Sequence, residues 1–447
     1  MMPDFFIIGG DAAGLSAAVQ IKRKIPDAYL KVINKGEIIS YAACGIPYVI
    51  SGDIPSAEKL VHFTPESMEK KKGISVEIGK EAMEIFPEEN AVGVKDLKTG
   101  KHYKEKYKKL LIATGTVPNK LPFIDYKEEG VFCLSNIQDL KQVLSYLRDQ
   151  QPQKAAIIGA GNIGLELAEG LVSRGINVHI FELLPEPAIT WPSLIREAIK
   201  KKMDEKNIQF SGGASVKEVT KKGKSFTLKT KEDSHEFDVV FSVAGAKPAT
   251  DFCPEKIKTL DNGALIIDQK GNTSEPDIYS AGDCASVYHK VLDRNVYFPL
   301  GSTANKMGRI SGMNMAGKDI SFPGIVGTQI FKFFELSLAK TGLSLEEAEK
   351  EKIDADVSLA LRLDKAGYYP DSRKAKAEII YQKPSGKILG ASVSTEGNAA
   401  QLIDPVAVAV FAGLNVKQLG WFDAAYTPPF APVWNAWVSA SLKHKLG

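Results

Sequence analysis

Apolar and polar positions along this chain fall into two alternating patterns. Short, wholly apolar runs bounded by glycine predict buried strands, and Ala/Leu/Glu-rich stretches of helical spacing predict helices. Residues 5–9 predict a strand, followed by a helix from about 14 to 24 and a strand over 30–34, which together make one βαβ unit. A mixed β region follows and ends in the apolar run 107–115. Pro118 and Pro122 then punctuate a crossing into a new unit. Residues 155–159, a helix from 164 and a strand over 177–182 repeat the βαβ pattern. Residues 237–245 predict another buried strand, Lys247-Pro248 marks the return, and 276–283 predict a strand ending in a turn. From about Gly324 the pattern changes to strands at 329–334, 357–363, 377–381 and 389–393, then a helix near 399–412. There is no solenoid period and no low-complexity segment.

Both βαβ units turn on glycine. The first reads Gly9-Gly10-Asp11-Ala12-Ala13-Gly14 and the second Gly159-Ala160-Gly161-Asn162-Ile163-Gly164, with starts 150 residues apart. A strand–glycine turn–helix lets backbone N–H groups approach a pyrophosphate at a helix N-terminus. One such motif is weak evidence. Two, about a domain's length apart, point to a chain that brings two dinucleotides together. Asp11 stands where a second glycine is usual, and its side chain is expected to point away from the phosphates.

Composition narrows the class. The chain has 447 residues, 44% hydrophobic and 25% charged, which fits a globular protein of about three domains. A net charge of +3 and no basic run interleaved with aromatics argue against nucleic acid. No apolar stretch approaches the roughly 20 residues that span a membrane. The first strand begins so early that no signal peptide is expected. Cysteines at 44, 133, 253 and 284 form neither a CxxC pair, a metal-ligand spacing nor a disulfide framework. A reducing, cytoplasmic location is expected. Cys44 follows the first fingerprint in Ser40-Tyr41-Ala42-Ala43-Cys44-Gly45-Ile46-Pro47-Tyr48, where it is either an inert small hydrophobe or a redox sulfur.

Together these residues resemble the pyridine nucleotide–disulfide oxidoreductase family, in its single-cysteine branch of coenzyme A disulfide reductases and NADH oxidases. The resemblance rests on both fingerprints, "LLIATG" at 110–115, "YSAGD" at 279–283 and "STANKMGRI" at 302–310. It also includes Tyr368-Tyr369-Pro370 and Tyr426-Thr427-Pro428-Pro429-Phe430. It implies an α/β fold with two Rossmann-like dinucleotide-binding domains, for FAD and NAD, plus a C-terminal α+β dimerisation domain. The FAD domain would comprise 1–117 and 250–323, the NAD(P) domain 118–249 and the interface domain 324–447.

The resemblance assigns FAD contacts to Gly9, Gly10, Ala13, Gly14, Asn34, Lys35, Ala113, Thr114, Gly115, Gly282, Asp283, Thr303 and Ala304. Asn34 replaces the usual acidic partner of the adenosine ribose, or merely ends its strand. Asp283 would accept the flavin's ribityl hydroxyls, or serve as an ordinary turn residue, and the helix from Thr303 would aim its positive end at the flavin. Nucleotide contacts fall to Gly159, Gly161, Asn162, Ile163, Gly164 and Glu182. A carboxylate at Glu182 favours NADH over NADPH by repelling a 2′-phosphate, although His179 and Lys201 lie nearby. Glu166 matches a family position near the nicotinamide, or is a plain helix-surface glutamate.

An internal disulfide would need Cys-x4-Cys, but Val49 is the fifth residue after Cys44. The C-terminal histidine–glutamate pair of glutathione reductase-like enzymes is also missing. Cys44 therefore works alone, cycling between a thiolate and a mixed disulfide or sulfenic acid, while Cys284 is expected to be structural. The histidine that related peroxidases and oxidases place inside the first fingerprint is absent, and none of the six histidines falls nearby in sequence. Tyr368 and Tyr426 match tyrosines that the partner subunit brings to the cysteine, or they pack the interface. Gln20, Arg23, Ser40 and Tyr41 match the lining of the coenzyme A channel. Lys70, Lys71 and Lys72 either add charge at its mouth or form a solvated face. The implied activity is FAD-dependent, NADH-driven reduction of coenzyme A disulfide or related small disulfides, persulfides and polysulfides. It would occur in a homodimer with shared active sites, with coenzyme A held as substrate or mixed disulfide. No rhodanese-like extension is expected. The alternatives are an NADH oxidase working through a Cys44 sulfenate, and a flavin-bound redox sensor or electron carrier.

Overall fold

Four consecutive buried apolar residues make Phe5–Ile8 the middle strand of a five-stranded parallel sheet. A strand covered on both faces carries an unbroken apolar run rather than an alternation. Leu30–Asn34 and Val76–Ile78 lie to one side of it, and Lys109–Ile112 and Ile278–Ser280 to the other. The computed structural model describes residues 2–444. The second fingerprint strand, Lys154–Ile158, is likewise central, between Asn177–Glu182 with Gln209–Gly212 and Val239–Ser242 with Val131–Phe132. The strands of this second sheet all fall between those that build the first, so one unit is inserted in the other. The two crossings run side by side: Thr116–Pro118 pairs antiparallel with Ala246–Pro248, and the Thr114 hydroxyl donates to the Ala249 carbonyl at 2.8 Å.

The helix Ala12–Lys24 packs closely on Gly301–Met315, because glycines of the second helix face alanines of the first. A Cβ on Gly308 would stand 2.2 Å from the Ala13 carbonyl oxygen, and one on Gly312 2.4 Å from that of Ala17. The C-terminal part is an antiparallel five-stranded sheet ordered Gln329–Phe333, Leu336–Gly342, Ile388–Thr395, Lys374–Gln382, Ala355–Leu363. Ala399–Ala412 covers one face of it.

The structure departs from the sequence pattern in two places. The run 237–245 is two strands in two sheets, Ser234–Phe237 and Val239–Ser242. The break falls at Asp238, whose carboxylate accepts the Gln153 and Lys154 N–H groups at 2.8 and 2.9 Å. Leu336–Gly342 is a strand that hydrophobic alternation does not signal, because Lys340 and Thr341 are buried in it. Among the described residues, no helix is long and apolar enough to cross a membrane.

Candidate active site

Each glycine turn is made by close approach of backbone. Gly9 has φ +118, and a Cβ there would lie 2.1 Å from the Ala113 carbonyl oxygen; one on Gly14 would lie 1.9 Å from that of Gly9. Gly159 and Gly164 repeat the relation, with contacts of 2.5 Å to the Val243 oxygen and 2.1 Å to that of Gly159. The helices that follow, Ala12–Lys24 and Asn162–Ser173, carry no side-chain cap, so their first N–H groups are left for a ligand. Gly282, at φ +86, fits between Ala13 and Ala304. It thereby joins the first fingerprint to the start of Gly301–Met315, whose N-terminus also lacks a side-chain cap. Thr303 and Ala304 are buried in that first turn.

Asp283 sits at this helix N-terminus beside the Leu300 N–H. Its Oδ1 is buried without a partner, and burial raises its pKa. An orphaned buried carboxylate oxygen beside two uncapped helix ends and a glycine cradle fits the hydroxyls and phosphates of FAD. Asp11 is half-buried, and its Oδ1 is likewise buried without a partner. Desolvation lifts its pKa to about 6 against the opposing pull of the Tyr41 and Ser40 backbone. Its side chain therefore faces the loop that leads to Cys44. That loop is constrained: Ser40 has φ +51, its N–H donates to the Gly10 carbonyl at 3.0 Å, and Tyr41 bridges Val61.

Asn34 and Glu182 occupy matching places at the ends of the second strands. Asn34 Oδ1 accepts the Gly10 N–H at 3.0 Å, while its Nδ2 donates to Gly36 and Ile38 carbonyls at 2.9 and 3.3 Å. Glu182 accepts the Ala160 N–H at 2.7 Å and the Leu184 N–H at 3.0 Å. Lys35 points away to an ion pair with Glu81 at 2.6 Å. Asn162 Oδ1 is taken by the Trp191 indole N–H at 2.8 Å, whereas Ile163 is exposed. His179 offers no cation to a 2′-phosphate. It is buried, stacked on Phe181 and within 2.8 Å of the Ser211 hydroxyl, and desolvation lowers its pKa to about 4. Lys201 is drawn to Glu205 at 3.9 Å.

Cys44 lies in the single turn Ala43–Gly45, which runs directly into the helix Ile46–Ser51. It is exposed, as a nucleophile must be. The protein around it nonetheless withdraws enough water to push the thiol up, with the Glu166 and Asp283 carboxylates adding to the rise. One turn on, the Tyr48 hydroxyl donates to Glu166 Oε1 at 3.0 Å. Desolvation raises Glu166 to about 7. Neither Tyr48 nor its bond to Glu166 was legible in sequence, where the two residues stand 118 positions apart. The turn of chain at 60–62 also lies against the cysteine loop, His62 N–H donating to the Ser40 carbonyl at 2.8 Å. His62 is thus nearer in space than in sequence, with its side chain exposed.

Gln20 is half-buried and Arg23 exposed, one turn apart on the first fingerprint helix. Lys71 and Lys72 lie over the Phe63 ring at 5.8 and 5.9 Å. Tyr368 and Tyr426 are brought together from different segments, close enough for the Tyr426 phenol to raise the Tyr368 pKa. They are 76% and 51% exposed, in a region that also exposes Phe430, Val433 and Trp434. Such a cluster of aromatics open to water marks an interaction surface.

Two glycine-turn βαβ units, an exposed cysteine beside the first and a separate C-terminal sheet define a dinucleotide-dependent oxidoreductase. The chain belongs to the pyridine nucleotide-disulphide oxidoreductase family: that family's model matches residues 3–308, and its dimerisation domain matches 328–436. It is 34% identical over 440 residues to the NAD(P)H sulfur oxidoreductase (CoA-dependent) of Pyrococcus furiosus, covering 96% of each chain. It is 27% identical to the coenzyme A disulfide reductase of Staphylococcus aureus, covering 96% of this chain and 97% of that one. The solved NAD-dependent persulfide reductase from A. fulgidus superposes with a TM-score of 0.93 at 30% identity, covering 98% of this chain and 82% of that one. The protein is an oxidoreductase, and the cofactors of its family are FAD and NAD(P)H.

Proposed function

We propose that the protein uses NADH to reduce coenzyme A disulfide or related low-molecular-weight disulfides, persulfides or polysulfides, with Cys44 as the only redox-active sulfur. The observation that carries this reading is the exposure of Cys44 on a turn bounded by the first fingerprint, Asp283 and Glu166, with buried Val49 where a second cysteine would stand. Bound FAD would supply the relay, taking a hydride from the nicotinamide and passing the electron pair to sulfur. Gly9, Gly10, Gly14 and Gly282 would admit its pyrophosphate and ribityl chain, with Asp283 accepting ribityl hydroxyls. The backbone of Ala113, Thr114 and Gly115 would line the same cleft.

Gly159, Gly161 and Gly164 would do the same for the nicotinamide dinucleotide, with Glu182 on the ribose. The thiolate of Cys44 attacks one substrate sulfur, the substrate S–S bond breaks, and the departing thiolate needs a proton. Tyr368 and Tyr426, reaching over from a second copy, would donate it. Gln20, Arg23, Ser40 and Tyr41 would line the substrate's approach. The domains would be 1–117 with 250–323, 118–249 and 324–447. Unpaired cysteines throughout suit a reducing, cytoplasmic setting. Steady-state NADH oxidation with coenzyme A disulfide tests the reading, with oxygen alone as the control. Turnover with the disulfide and none with oxygen is expected; turnover with oxygen alone would assign the oxidase activity instead.

A further inference from the structure

The second fingerprint helix, Asn162–Ser173, does more than face a nucleotide. Glu166, Gly170 and Arg174 recur at steps of four, so they form one stripe, and the helix Ile46–Ser51, which follows the Cys44 turn directly, docks along it. Tyr48 donates to Glu166 at 3.0 Å. Gly170 leaves room for backbone, since a Cβ there would already be 3.2 Å from the Ser51 nitrogen. The Arg174 guanidinium donates to the Ile50 carbonyl. The position of Cys44 is therefore fixed by the nucleotide-binding helix as well as by its own loop.

The charges along this contact are unequal. Glu169, on the same helix, is neutralised: Lys332 from the C-terminal sheet donates to its Oε1, and the Phe334 N–H donates to its Oε2 at 2.7 Å. Lys332 is also 3.4 Å from Asp53. Among the described residues Glu166 receives only the neutral Tyr48 hydroxyl, while Glu169 opposes its charge and Lys332 acts on it from farther off. The Glu166 and Asp283 carboxylates both act to keep Cys44 protonated. Glu166 is thus the carboxylate on this contact whose charge is left uncompensated.

We propose that Glu166, oriented by Tyr48, is a positioning residue that governs how readily Cys44 gives up its proton: ionised Glu166 holds Cys44 as the thiol, and neutral Glu166 releases it. The physical basis is like-charge repulsion across a partly desolvated gap. Burial lifts Glu166 to about 7, so its charge changes in the range where the enzyme would work. This inference deepens the assignment of Cys44 as the working sulfur, but it concerns the thiol itself and not the identity of the substrate.

The test is the pH dependence of iodoacetamide alkylation of the Cys44 peptide in flavin-loaded protein, followed by mass spectrometry. Glu166→Gln is expected to react about two- to fourfold faster than the parent at pH 7.5, where parental Glu166 is mostly but not wholly ionised. The two should converge below about pH 6, where parental Glu166 is protonated. A merely structural disturbance would persist at every pH. Glu166→Asp should restore the parental profile. Tyr48→Phe removes a hydrogen bond that favours the ionised carboxylate, so it should shift alkylation in the same direction by a smaller amount. It also provides an independent test if Glu166→Gln folds poorly. Equal profiles for both variants and the parent, slower alkylation, or a difference that persists at pH 5.5 would overturn the proposal. Disulfide turnover measured alongside separates its failure from that of the functional reading: loss of turnover with the profile shift intact sinks only the latter.

Discussion

Glu182 accepts the backbone N–H of Ala160 at 2.7 Å, which pins its carboxylate over the turn of the second fingerprint. A carboxylate fixed there would meet the adenosine ribose of a bound nucleotide and repel a 2′-phosphate. The neighbouring residues offer no compensation: Leu183 and Leu184 are exposed and apolar, and His179 is held neutral by burial. NADH should therefore outperform NADPH in kcat/KM. Glu182→Ala should narrow the gap by about tenfold, or ~1.4 kcal/mol. The check is steady-state kinetics with both nucleotides, and a parent that prefers NADPH contradicts the assignment.

Gly308 is required by helix crossing rather than by chain freedom. Gly308→Ala places a methyl group 2.2 Å from the Ala13 carbonyl oxygen, so the helices Ala12–Lys24 and Gly301–Met315 must separate. A destabilisation of about 1–3 kcal/mol is expected, together with weaker flavin retention, because both helices end at the proposed flavin site. Gly301→Ala, with nothing within 4 Å of its Cβ, is the matched control and should leave the melting temperature nearly unchanged. Equal melting temperatures for the two variants would contradict the packing argument.

Glu166 also leaves a signature in stability. Its folded pKa of about 7 lies above the ordinary glutamate value, so between roughly pH 4.5 and 7 the folded state binds more protons than the unfolded chain. Stability then falls as pH rises through that window, and the favourable contribution is complete only at its acidic end. Glu166→Gln should become more stable relative to the parent on going from pH 5 to pH 8, by on the order of 1–3 kcal/mol. Urea unfolding at the two pH values reads the difference directly, and a parallel pH dependence in both proteins would rule the buried charge out.

The βαβ units were legible in the sequence because strands buried on both faces read as apolar runs and the glycine turns admit few alternatives. The insertion of one sheet in the other was what the family resemblance implied, with the prolines marking only where the chain crosses and returns. Four features were not legible. The split at Asp238 interrupts an apolar run by one residue, and only the Gln153 and Lys154 N–H groups it accepts give it meaning. Leu336–Gly342 buries Lys340, whose ammonium donates to the Thr190 carbonyl at 2.7 Å. The Tyr48–Glu166 bond joins two motifs that are remote in sequence, so only packing of Ile46–Ser51 on Asn162–Ser173 reveals it. Asn34 was legible as a strand end and fingerprint partner, but its use of both amide atoms on the chain's own backbone was not.

Tyr368 and Tyr426 lie together at the exposed C-terminal surface. In a C2 dimer each pair would meet the other subunit's Cys44, building two identical composite sites. Tyr368→Phe and Tyr426→Phe should slow disulfide reduction while sparing flavin reduction by NADH. Mixing a Cys44→Ser subunit with a Tyr368→Phe/Tyr426→Phe subunit should restore one intact site of two in heterodimers. No recovery despite proven subunit exchange would place the tyrosines outside the sulfur site.

The central claim is that Cys44 alone carries electrons from the flavin to sulfur. Stopped-flow spectroscopy of the Cys44→Ser holoenzyme tests it most directly, because NADH-to-flavin transfer and disulfide reduction are read in one experiment. Flavin bleaching by NADH should proceed at close to the parental rate, since hydride transfer needs no thiolate. Addition of coenzyme A disulfide should then leave the flavin reduced, where the parent reoxidises it. Reoxidation of the variant's flavin by the disulfide at the parental rate would contradict the claim.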